Sequence, residues 1–377
     1  YGISIILDGV FSHTGCDSRY FNMYSHYDDI GAYNSKESPY FSWYKFINWP
    51  DEYHSWWGIK LLPEVIEEDE GYRNYICGEN GILKKWLRCG IAGYRLDVAD
   101  ELPDIFLDDL RKSVKSENEN AIIIGEVWED ATNKFAYGQR RKYLLGEELD
   151  SVMNYPFADA ILNFVRYANG NAFFNAVLSI IENYPPQVLN VLMNHIGTHD
   201  TERAITRLAG ENPDGHDRAW QFEHNTLSEF DYLKGISMMK IASLIQFTLP
   251  GVPSIYYGDE IGMQGMKDPF NRACMPWNKP NEELLKWYKR LGQIRHSSKA
   301  FIDGDFEKLY CDGGVIAYSR SSEGDNILVA INNSNEQKRI FVGTQWDNSY
   351  SLFDEKSVDG FVNLPPYRYT LLSKKEY

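Results

Sequence analysis

The chain has 377 residues, 43% of them hydrophobic and 24% charged, which is enough material for one large globular domain and a smaller second one. Its formal net charge of −16 argues against nucleic acid or an anionic membrane surface as the main partner, because both repel an acidic protein. No apolar run approaches the roughly 18 residues that a membrane-spanning helix needs.

Apolar strand-like runs alternate with helical ones over the first 300 residues. Strands are predicted at about 3–10, 93–98, 121–127, 149–153, 190–196 and 252–257, and helices at 78–90, 103–115 and 232–249. A repeated strand–helix order implies parallel strands with right-handed crossovers. No G-x-G-x-x-G or P-loop motif follows any strand, so the pattern favours a (β/α) barrel over a nucleotide-binding sheet.

Two segments depart from this rhythm. Residues 14–75 follow the first strand and are rich in Gly, Ser, Asp and aromatic residues without clear periodicity, which predicts an inserted subdomain. From about residue 301, short strands alternate with turn sequences at 312–314 (Asp-Gly-Gly) and 323–326 (Glu-Gly-Asp-Asn). Residues 301–377 are therefore predicted to form a small all-β domain.

Polar side chains cluster where four of the predicted strands end. The clusters are Asp8 with His13, Arg95 with Asp97, Glu126 with Trp128, and His199 with Asp200. A lone cluster of this kind is usually a helix cap or a solvated residue. The carboxyl ends of barrel strands converge on one pocket, however, so four clusters together predict an active site.

Three carboxylates in these clusters suit the cleavage of a glycosidic bond. A retaining glycosidase needs a nucleophilic carboxylate and a proton-donating carboxylic acid about 5–5.5 Å apart. The guanidinium of Arg95 favours the ionised form of Asp97, which suits a nucleophile. Apolar neighbours should raise the pKa of Glu126, which suits a general acid. Asp200 could then stabilise the charged transition state.

Four motifs resemble, in order and spacing, the conserved regions of the α-amylase family (glycoside hydrolase family 13). They are DGVFSH (8–13), GYRLDVADE (93–101), EVWED (126–130) and NHIGTHDTER (194–203), and LPEVI (62–66) resembles the fifth region. Within the family, the residues of GYRLDVADE, EVW and HDTER most resemble those of the neopullulanase and cyclomaltodextrinase branch. The resemblance implies Asp97 as nucleophile, Glu126 as acid/base, Asp200 as transition-state stabiliser, Arg95 as the residue that positions Asp97, His13 and His199 as sugar contacts, and Asp8 as structural support for the arginine.

Several further residues are candidates for the edge of the site. Trp128, Asn154 and Tyr155 are predicted to contact the substrate. Trp56 and Trp57, in the long loop, are either sugar platforms or packing residues of the subdomain. For Arg272 and Trp277 two roles are open, an approach to the site and a structural role, and the structural role is favoured.

No cofactor is predicted to be required, and the binding of a calcium ion is left open. Ser12 stands where the family usually has the asparagine that ligates calcium, so the usual calcium site is not expected. The five cysteines are scattered and form no C-x-x-C pair, which indicates neither a zinc site nor a disulfide framework and suggests reduced thiols in the cytoplasm. Ile66 and Glu129 also depart from the branch, which commonly has asparagine and histidine there.

The first conserved region of the family lies on the third barrel strand, and this chain starts there. The expected fold is therefore a TIM (β/α)8-type barrel that shows strands 3 to 8, over residues 1–300, with subdomain B at 14–75. A C-terminal β-sandwich is expected at 301–377. Two strands would be supplied from elsewhere, and a homodimer is one candidate assembly.

The predicted function is a retaining α-glucan hydrolase that acts on α-1,4 bonds, with α-1,6 bonds left open. Starch-derived oligosaccharides, pullulan and cyclodextrins are the expected substrates. Two alternatives remain at this stage. One is a non-catalytic sugar-binding protein or an inactive fragment on the same fold, and the other is a transglycosylase of the same family.

Overall fold

The computed structural model describes residues 1–136, 138–353 and 357–374. The chain forms two compact units, Tyr1–Met153 (unit 1) and Asn154–Tyr377 (unit 2). The boundary predicted near residue 300 falls inside unit 2, within the short helix Ala300–Asp303 that precedes the first strand of the C-terminal sheet. The domain limits given above stay predictions.

Unit 1 is built on a parallel sheet of four strands. The strands of the whole unit, in chain order, are β1 (Ile6–Gly9), β2 (Phe46–Asn48), β3 (Glu52–Tyr53), β4 (Gly93–Leu96), β5 (Ile122–Gly125), β6 (Phe135–Ala136), β7 (Gln139–Arg140) and β8 (Ser151–Val152). The parallel sheet has the order β1-β4-β5-β8, while β2 pairs with β3 and β6 with β7 as antiparallel ribbons. In the register of the sheet, Asp8 lies opposite Arg95 and Leu96 opposite Gly125, which brings the strand ends that carry the predicted site side by side.

The described part of unit 1 contains the α-helices α1 (Glu70–Cys77), α2 (Ile82–Arg88) and α3 (Asp104–Glu117), which pack against one another. The side chain of Asp69 caps α1 by accepting a hydrogen bond from the Tyr72 backbone N–H. Helix α2 ends as predicted, because Gly90 follows it with a φ of +96°, a conformation that glycine adopts at little cost. The hydroxyl of Tyr94, on β4, donates to the backbone oxygen of Leu83 and joins helix to sheet.

Residues 14–69 contain little regular structure and are organised by packed aromatic rings instead. Phe21 is fully buried, and its ring centroid lies 4.9 Å from that of Tyr44 and 4.8 Å from that of Tyr53. The Trp43 ring packs against Tyr72 of α1 at 5.2 Å. Many of the aromatic side chains thus stabilise a segment in which few backbone hydrogen bonds join strands.

Unit 2 begins with a helical part. Its helices are α4 (Tyr155–Tyr167), α5 (Gly170–Asn183), α6 (Pro186–Leu189), α7 (Ala204–Ala209), α8 (Arg218–Glu223), α9 (Glu229–Thr248), α10 (Glu282–Ser297) and α11 (Ala300–Asp303). Two parallel strands, β9 (Met193–Asn194) and β10 (Val252–Pro253), pair with each other. All six predicted parallel strands are therefore present in the described residues, four in unit 1 and two in unit 2. The incompleteness of the barrel stays a prediction.

An antiparallel sheet follows, as the turn pattern predicted. Its strands and those beside it are β11 (Asp305–Asp312), β12 (Val315–Ser322), β13 (Asp325–Asn332), β14 (Lys338–Phe341), β15 (Ser349–Ser351), β16 (Ser357–Val358), β17 (Phe361–Leu364) and β18 (Arg368–Ser373). The main sheet has the order β11-β12-β13-β18-β15-β16, and β14 pairs with β17. Leu328 and Leu372 of the main sheet share one buried core with Ile340 and Val362 of the smaller pair. The hairpins at 312–315 and 322–325 confirm the predicted turns.

All five cysteines are free thiols. No helix in the part of the chain that the structure describes is long and apolar enough to cross a membrane.

The raised pKa of the buried Glu148 predicts a pH-dependent stability of unit 1. Its side chain is completely buried, and this burial, with a contribution from Asp104, raises the pKa of Glu148 to about 7 despite the opposing charge of Arg141. A carboxyl whose pKa is higher in the folded chain binds its proton more tightly there. Its stabilising contribution is therefore complete below about pH 4.5 and is lost as the pH rises through about 7.

We expect the substitution Glu148→Gln to remove this pH dependence, because glutamine does not titrate. Between about pH 4.5 and pH 8, the free energy of unfolding of the wild-type chain should fall by roughly 2–3 kcal/mol relative to the variant. Denaturant unfolding at both pH values measures this difference. Glu147→Gln, at the exposed neighbouring position, is the control and should follow the wild type. Identical profiles for all three chains would contradict the assignment.

Candidate active site

Arg95 is the centre of the charged cluster in unit 1. Its Nη1 donates to Asp8 Oδ1 at 2.8 Å and to Asp97 Oδ1 at 2.7 Å, and its Nη2 lies 2.8 Å from Glu126 Oε2. Burial opposes its charge, but Glu126 and Asp8 raise the pKa of this guanidinium above its usual range. The structure thus brings one cation together with three carboxylates, and the roles predicted for Arg95, Asp97 and Asp8 stay predictions.

The sheet explains why Asp97 and Glu126 meet at this arginine. Strands β4 and β5 are neighbours and end in register at Leu96 and Gly125, so the two carboxylates are the first residues beyond adjacent strand ends. The backbone N–H of Glu126 donates to the oxygen of Leu96 at 2.9 Å, which carries the pairing one step past the strand. A Cβ added at Gly125 would lie 2.5 Å from Cδ1 of Leu149, so a larger residue here would force the Leu149 side chain to shift.

The turn after Asp97 also holds Glu126. Val98 has φ +40° and ψ +58°, a left-handed conformation that is an outlier for a β-branched residue. Its backbone N–H donates to Glu126 Oε2 at 2.9 Å. Strained backbone of this kind costs about 1–3 kcal/mol and is typically found at functional sites. This contact could not be predicted from the sequence, because nothing in a valine signals a positive φ.

Glu126 is buried, as its apolar neighbours predicted, with 5% of its surface exposed. It also receives polar contacts that the sequence did not predict. Oε2 is held by Arg95 and Val98, while Oε1 accepts a hydrogen bond from the indole Nε1 of Trp128 at 3.1 Å. Trp128 is half exposed. Oε1 is therefore hydrogen-bonded to a residue that is itself partly open to solvent.

His13 lies at the rim of the same cluster. Its Nδ1 is 3.0 Å from the hydroxyl of Ser12, and its ring stacks on Trp56 with centroids 4.9 Å apart. Burial lowers the pKa of His13, and the negative charges of Asp97 and Glu101 only partly oppose this. A neutral imidazole can hydrogen-bond a sugar hydroxyl without placing a further cation beside Arg95. The Ser12 hydroxyl is occupied by His13, and the expectation about calcium stays a prediction.

In unit 2, His199 and Asp200 form a second small cluster with Arg272. His199 Nε2 lies 3.3 Å from Asp200 Oδ2, and Arg272 Nη2 lies 3.6 Å from Asp200 Oδ1. The Nε of Arg272 donates to the backbone oxygen of His199 at 3.1 Å. Of the two roles left open for Arg272, these contacts support an approach to the predicted site, whereas Trp277 is largely exposed. The predicted roles of His199 and Asp200 stay predictions.

A buried scaffold supports this second cluster. The side-chain amide of Asn271 donates to the backbone oxygens of His199 and Thr201, both at 2.7 Å. Arg203 is completely buried and donates from Nε to the backbone oxygen of Asn271 at 2.8 Å. Its Nη1 lies 3.4 Å from Asp259, where burial raises the pKa to about 7 against the opposing charge of Arg203. The arginine of the HDTER motif therefore orders the loop behind His199.

Asn154 and Tyr155 lie in the interior of unit 2. Asn154 caps helix α4, because its Oδ1 accepts from the Phe157 backbone N–H, and its Nδ2 donates to Asn194 Oδ1 at 2.8 Å. The Tyr155 ring is buried edge-on against His195, with centroids 4.5 Å apart. These contacts are structural, and they give no support to the predicted sugar contacts of either residue.

A family model described as the alpha-amylase catalytic domain matches residues 1–348. The chain belongs to the α-amylase family. This confirms the predicted membership of glycoside hydrolase family 13. The parallel sheet and the C-terminal antiparallel sheet are those of an amylase-type catalytic domain.

Known proteins of this family are similar over most of the chain. A cyclomaltodextrinase of Thermoanaerobacter pseudethanolicus is 33% identical over 353 residues, and an amylopullulanase of Thermoanaerobacter thermohydrosulfuricus is 33% identical over 389 residues. The match with the cyclomaltodextrinase covers 90% of this chain and 54% of that protein. The match with the amylopullulanase covers 91% of this chain and only 25% of that protein. The solved structure of a cyclic α-maltosyl-(1→6)-maltose hydrolase from Arthrobacter globiformis, in complex with that sugar, matches 99% of this chain and 75% of its own, with a TM-score of 0.80 and 25% identity.

Proposed function

We propose that the chain is a retaining α-glucan hydrolase that cleaves α-1,4-glucosidic bonds in starch-derived oligosaccharides, pullulan and cyclodextrins. The observation that carries the proposal is the sharing of one guanidinium by two carboxyl groups. Asp97 and Glu126 contact the two Nη atoms of Arg95 at 2.7 and 2.8 Å. Carboxyl groups bound to one planar guanidinium are close neighbours, which supports the short separation of about 5–5.5 Å that retaining glycosidases use over the wider spacing of inverting ones.

The contacts of Asp97 and Glu126 suit two different tasks. The Oδ1 atom of Asp97 is held by Arg95, so the carboxylate is kept in place for attack on the anomeric carbon. Its oxygen forms a bond to that carbon while the bond from the carbon to the glycosidic oxygen breaks. Glu126 gives its proton to the departing oxygen through Oε1, the oxygen beside Trp128.

In the second half of the reaction, a water molecule attacks the anomeric carbon of the glycosyl–Asp97 ester. Glu126, now a carboxylate, takes the proton of this water, and Asp97 leaves as the free carboxylate. Two inversions at one carbon retain the α configuration. Neutral His13 would hydrogen-bond a sugar hydroxyl beside Asp97. The role proposed for Asp200, stabilisation of the charged transition state, is supported by the sequence resemblance alone.

The relatives support this class of substrate. One of them is named a cyclomaltodextrinase and another an amylopullulanase, and the solved hydrolase is in complex with cyclic α-maltosyl-(1→6)-maltose. The α-glucan specificity of this chain, including its use of α-1,6 bonds, belongs to the proposal. The predicted homodimer stays a prediction.

Product analysis tests the proposal. Maltotriose, starch, pullulan and β-cyclodextrin are incubated side by side with the chain, and the anomeric protons of the first products are followed by NMR. We expect α-anomers first, panose from pullulan and rapid ring opening of the cyclodextrin. First products in the β configuration would contradict a retaining mechanism, and no cleavage of any substrate would favour the sugar-binding alternative. Products longer than the substrate would identify a transglycosylase.

A further inference from the structure

Three side chains join the two loops of unit 1 that carry Asp97 and Glu126. Asp100, three residues after Asp97, accepts a hydrogen bond from the hydroxyl of Tyr143 at 2.7 Å, and its Oδ2 lies 2.9 Å from Lys134 Nζ. Lys134 and Tyr143 belong to the segment that follows β5 and Glu126. We call Asp100, Lys134 and Tyr143 the loop anchor.

The loop anchor is better shielded from water than a surface ion pair. Tyr143 is completely buried, and the side chains of Lys134 and Asp100 are only 17% and 22% exposed. Burial opposes the charge of Lys134, but Glu129 and Asp100 raise its pKa, so that it stays a cation. A shielded, charge-assisted contact restricts the chain more than an exposed ion pair, which typically contributes about 0–1 kcal/mol.

The ribbon β6–β7 contacts the same segment at both of its ends. Lys134 is the residue before β6, and its backbone oxygen accepts the N–H of Arg141, the residue after β7, at 2.9 Å. Arg141 is buried, its Nη1 lies 3.2 Å from Asp104 Oδ1, and its Nη2 donates to the backbone oxygen of Leu102. The position of the loop anchor is therefore fixed from both strands of the ribbon.

Between Asp97 and Asp100 lies the strained turn at Val98. Val98 has a φ of +40°, and its N–H donates to Glu126 Oε2 at 2.9 Å. The N–H of Ala99 donates to the backbone oxygen of Glu126 at 3.2 Å. A left-handed conformation in a β-branched residue persists only where surrounding contacts hold it. The side chain of Asp100 makes such contacts two residues beyond the strained position.

We propose that Asp100 is a positioning residue for the proton donor of the reaction. Its contacts with Tyr143 and Lys134 hold the turn at Val98, and the Val98 N–H holds one oxygen of Glu126, so that the other oxygen keeps a fixed orientation toward the leaving group. This inference rests on the proposed function, because it takes Glu126 as the acid that protonates the departing oxygen. Loss of the Asp100 side chain should therefore impair only the steps that need this proton.

Two substrates that differ in their leaving groups test this role. Maltohexaose needs a proton at its departing oxygen, whereas fluoride leaves α-maltosyl fluoride without one. With Asp100→Ala we expect kcat/KM for maltohexaose to fall about 10- to 100-fold, because the proton donor is displaced but not removed. The kcat/KM for fluoride release, which reports the first step, should stay within about threefold of the wild type. A merely structural role would lower both values alike.

Three further variants accompany Asp100→Ala. Asp100→Asn keeps an oxygen that accepts from the Tyr143 hydroxyl, and we expect it to restore kcat/KM for maltohexaose to within about threefold of the wild type. Tyr143→Phe removes only the hydroxyl and keeps the ring, so it provides a second test that disturbs the fold little, with an expected loss of about three- to tenfold on maltohexaose alone. Glu129→Gln removes the other partner of Lys134 at a largely exposed position and is the control, which should leave both substrates within about twofold.

A double-mutant cycle shows whether Asp100 acts through Glu126. The Glu126→Gln chain has no proton to donate, so adding Asp100→Ala to it should cause no further loss on maltohexaose. An equal loss in the wild-type and Glu126→Gln backgrounds would overturn the positioning role. So would equal losses of Asp100→Ala activity on maltohexaose and on the fluoride.

Hydrogen exchange distinguishes a failure of this inference from a failure of the proposed function. We expect exchange at the Val98 N–H, followed by mass spectrometry of its peptic peptide, to be slow in the wild type, faster in Asp100→Ala and slow again in Asp100→Asn. Unchanged exchange in Asp100→Ala overturns the inference whatever the rates show. Faster exchange in Asp100→Ala, together with a wild type that cleaves neither maltohexaose nor the fluoride, overturns the proposed function and supports the action of Asp100 on the turn.

Discussion

Replacement of Asp97 by asparagine is expected to lower kcat/KM for maltohexaose by about 10⁴-fold or more, because the amide cannot act as the nucleophile in the proposed double displacement. The substitution preserves shape and one acceptor. The amide oxygen of the variant would still accept the hydrogen bond from Arg95 Nη1, which is 2.7 Å from Asp97 Oδ1 in the wild-type chain. The loss should therefore appear in kcat, with KM changed little, when initial rates are measured over a range of substrate concentrations.

Two controls accompany this prediction. Asp17→Asn removes a carboxylate that pairs with His26 at the exposed surface of unit 1, and it should leave kcat/KM within about twofold of the wild type. Thermal unfolding of Asp97→Asn should resemble that of the wild type, which would show that the variant is folded. A folded Asp97→Asn chain that keeps a tenth or more of the wild-type rate would contradict the role of Asp97.

Replacement of Glu126 by glutamine is expected to affect substrates according to their leaving groups. Glutamine cannot donate a proton, so kcat/KM for maltohexaose should fall by about 10²- to 10⁴-fold. Fluoride departs without a proton, so the first step with α-maltosyl fluoride should be affected much less, while the second step is slowed because no base activates the water. Fluoride release in a burst followed by a slow phase measures both steps.

The matched control for this variant is Glu129→Gln, three residues further along the same loop. Glu129 is largely exposed and pairs with Lys134, so its loss should leave both substrates within about twofold of the wild type. Equal losses of Glu126→Gln activity on maltohexaose and on the fluoride would contradict the role of Glu126 as proton donor.

Much of the charged cluster could be predicted from the sequence, because it depends on periodicity. Residues two apart on a strand share a side, so Arg95 and Asp97 had to point together once β4 was recognised. Burial of Glu126 followed in the same way from the apolar run of β5. The pairing of Arg95 with Asp8 required only that strands β1 and β4 be neighbours in the sheet, and they are.

The contacts made by turns and loops could not be predicted in this way. The N–H of Val98 reaches Glu126 only because the φ of Val98 is positive. The hydrogen bonds that Trp56 and Trp57 donate to Glu101 join residues more than forty positions apart. Arg272 lies near Asp200 because of the path of a loop whose sequence shows no hydrophobic periodicity. Such contacts depend on tertiary packing, which a local pattern does not contain.

The fold shows the same division. Helix α9 was predicted from its apolar pattern and begins three residues earlier than expected, where Ser228 caps it by accepting from the Asp231 N–H. The short pairs β2–β3 and β6–β7 were not predicted, because ribbons of two or three residues a strand carry too little alternation to be recognised. The segment 14–69 folds around ring contacts whose geometry no periodicity encodes.

The central claim, that Asp97 forms a covalent glycosyl ester, is tested most directly by trapping that ester. The Glu126→Gln chain is incubated with α-maltosyl fluoride, quenched in acid and digested with pepsin, and the peptides are analysed by mass spectrometry. The proposed mechanism predicts one added maltosyl group on Asp97 in the peptide that contains GYRLDVADE. Release of fluoride with β-maltose as the first product and no adduct, or an adduct on another residue, would contradict it.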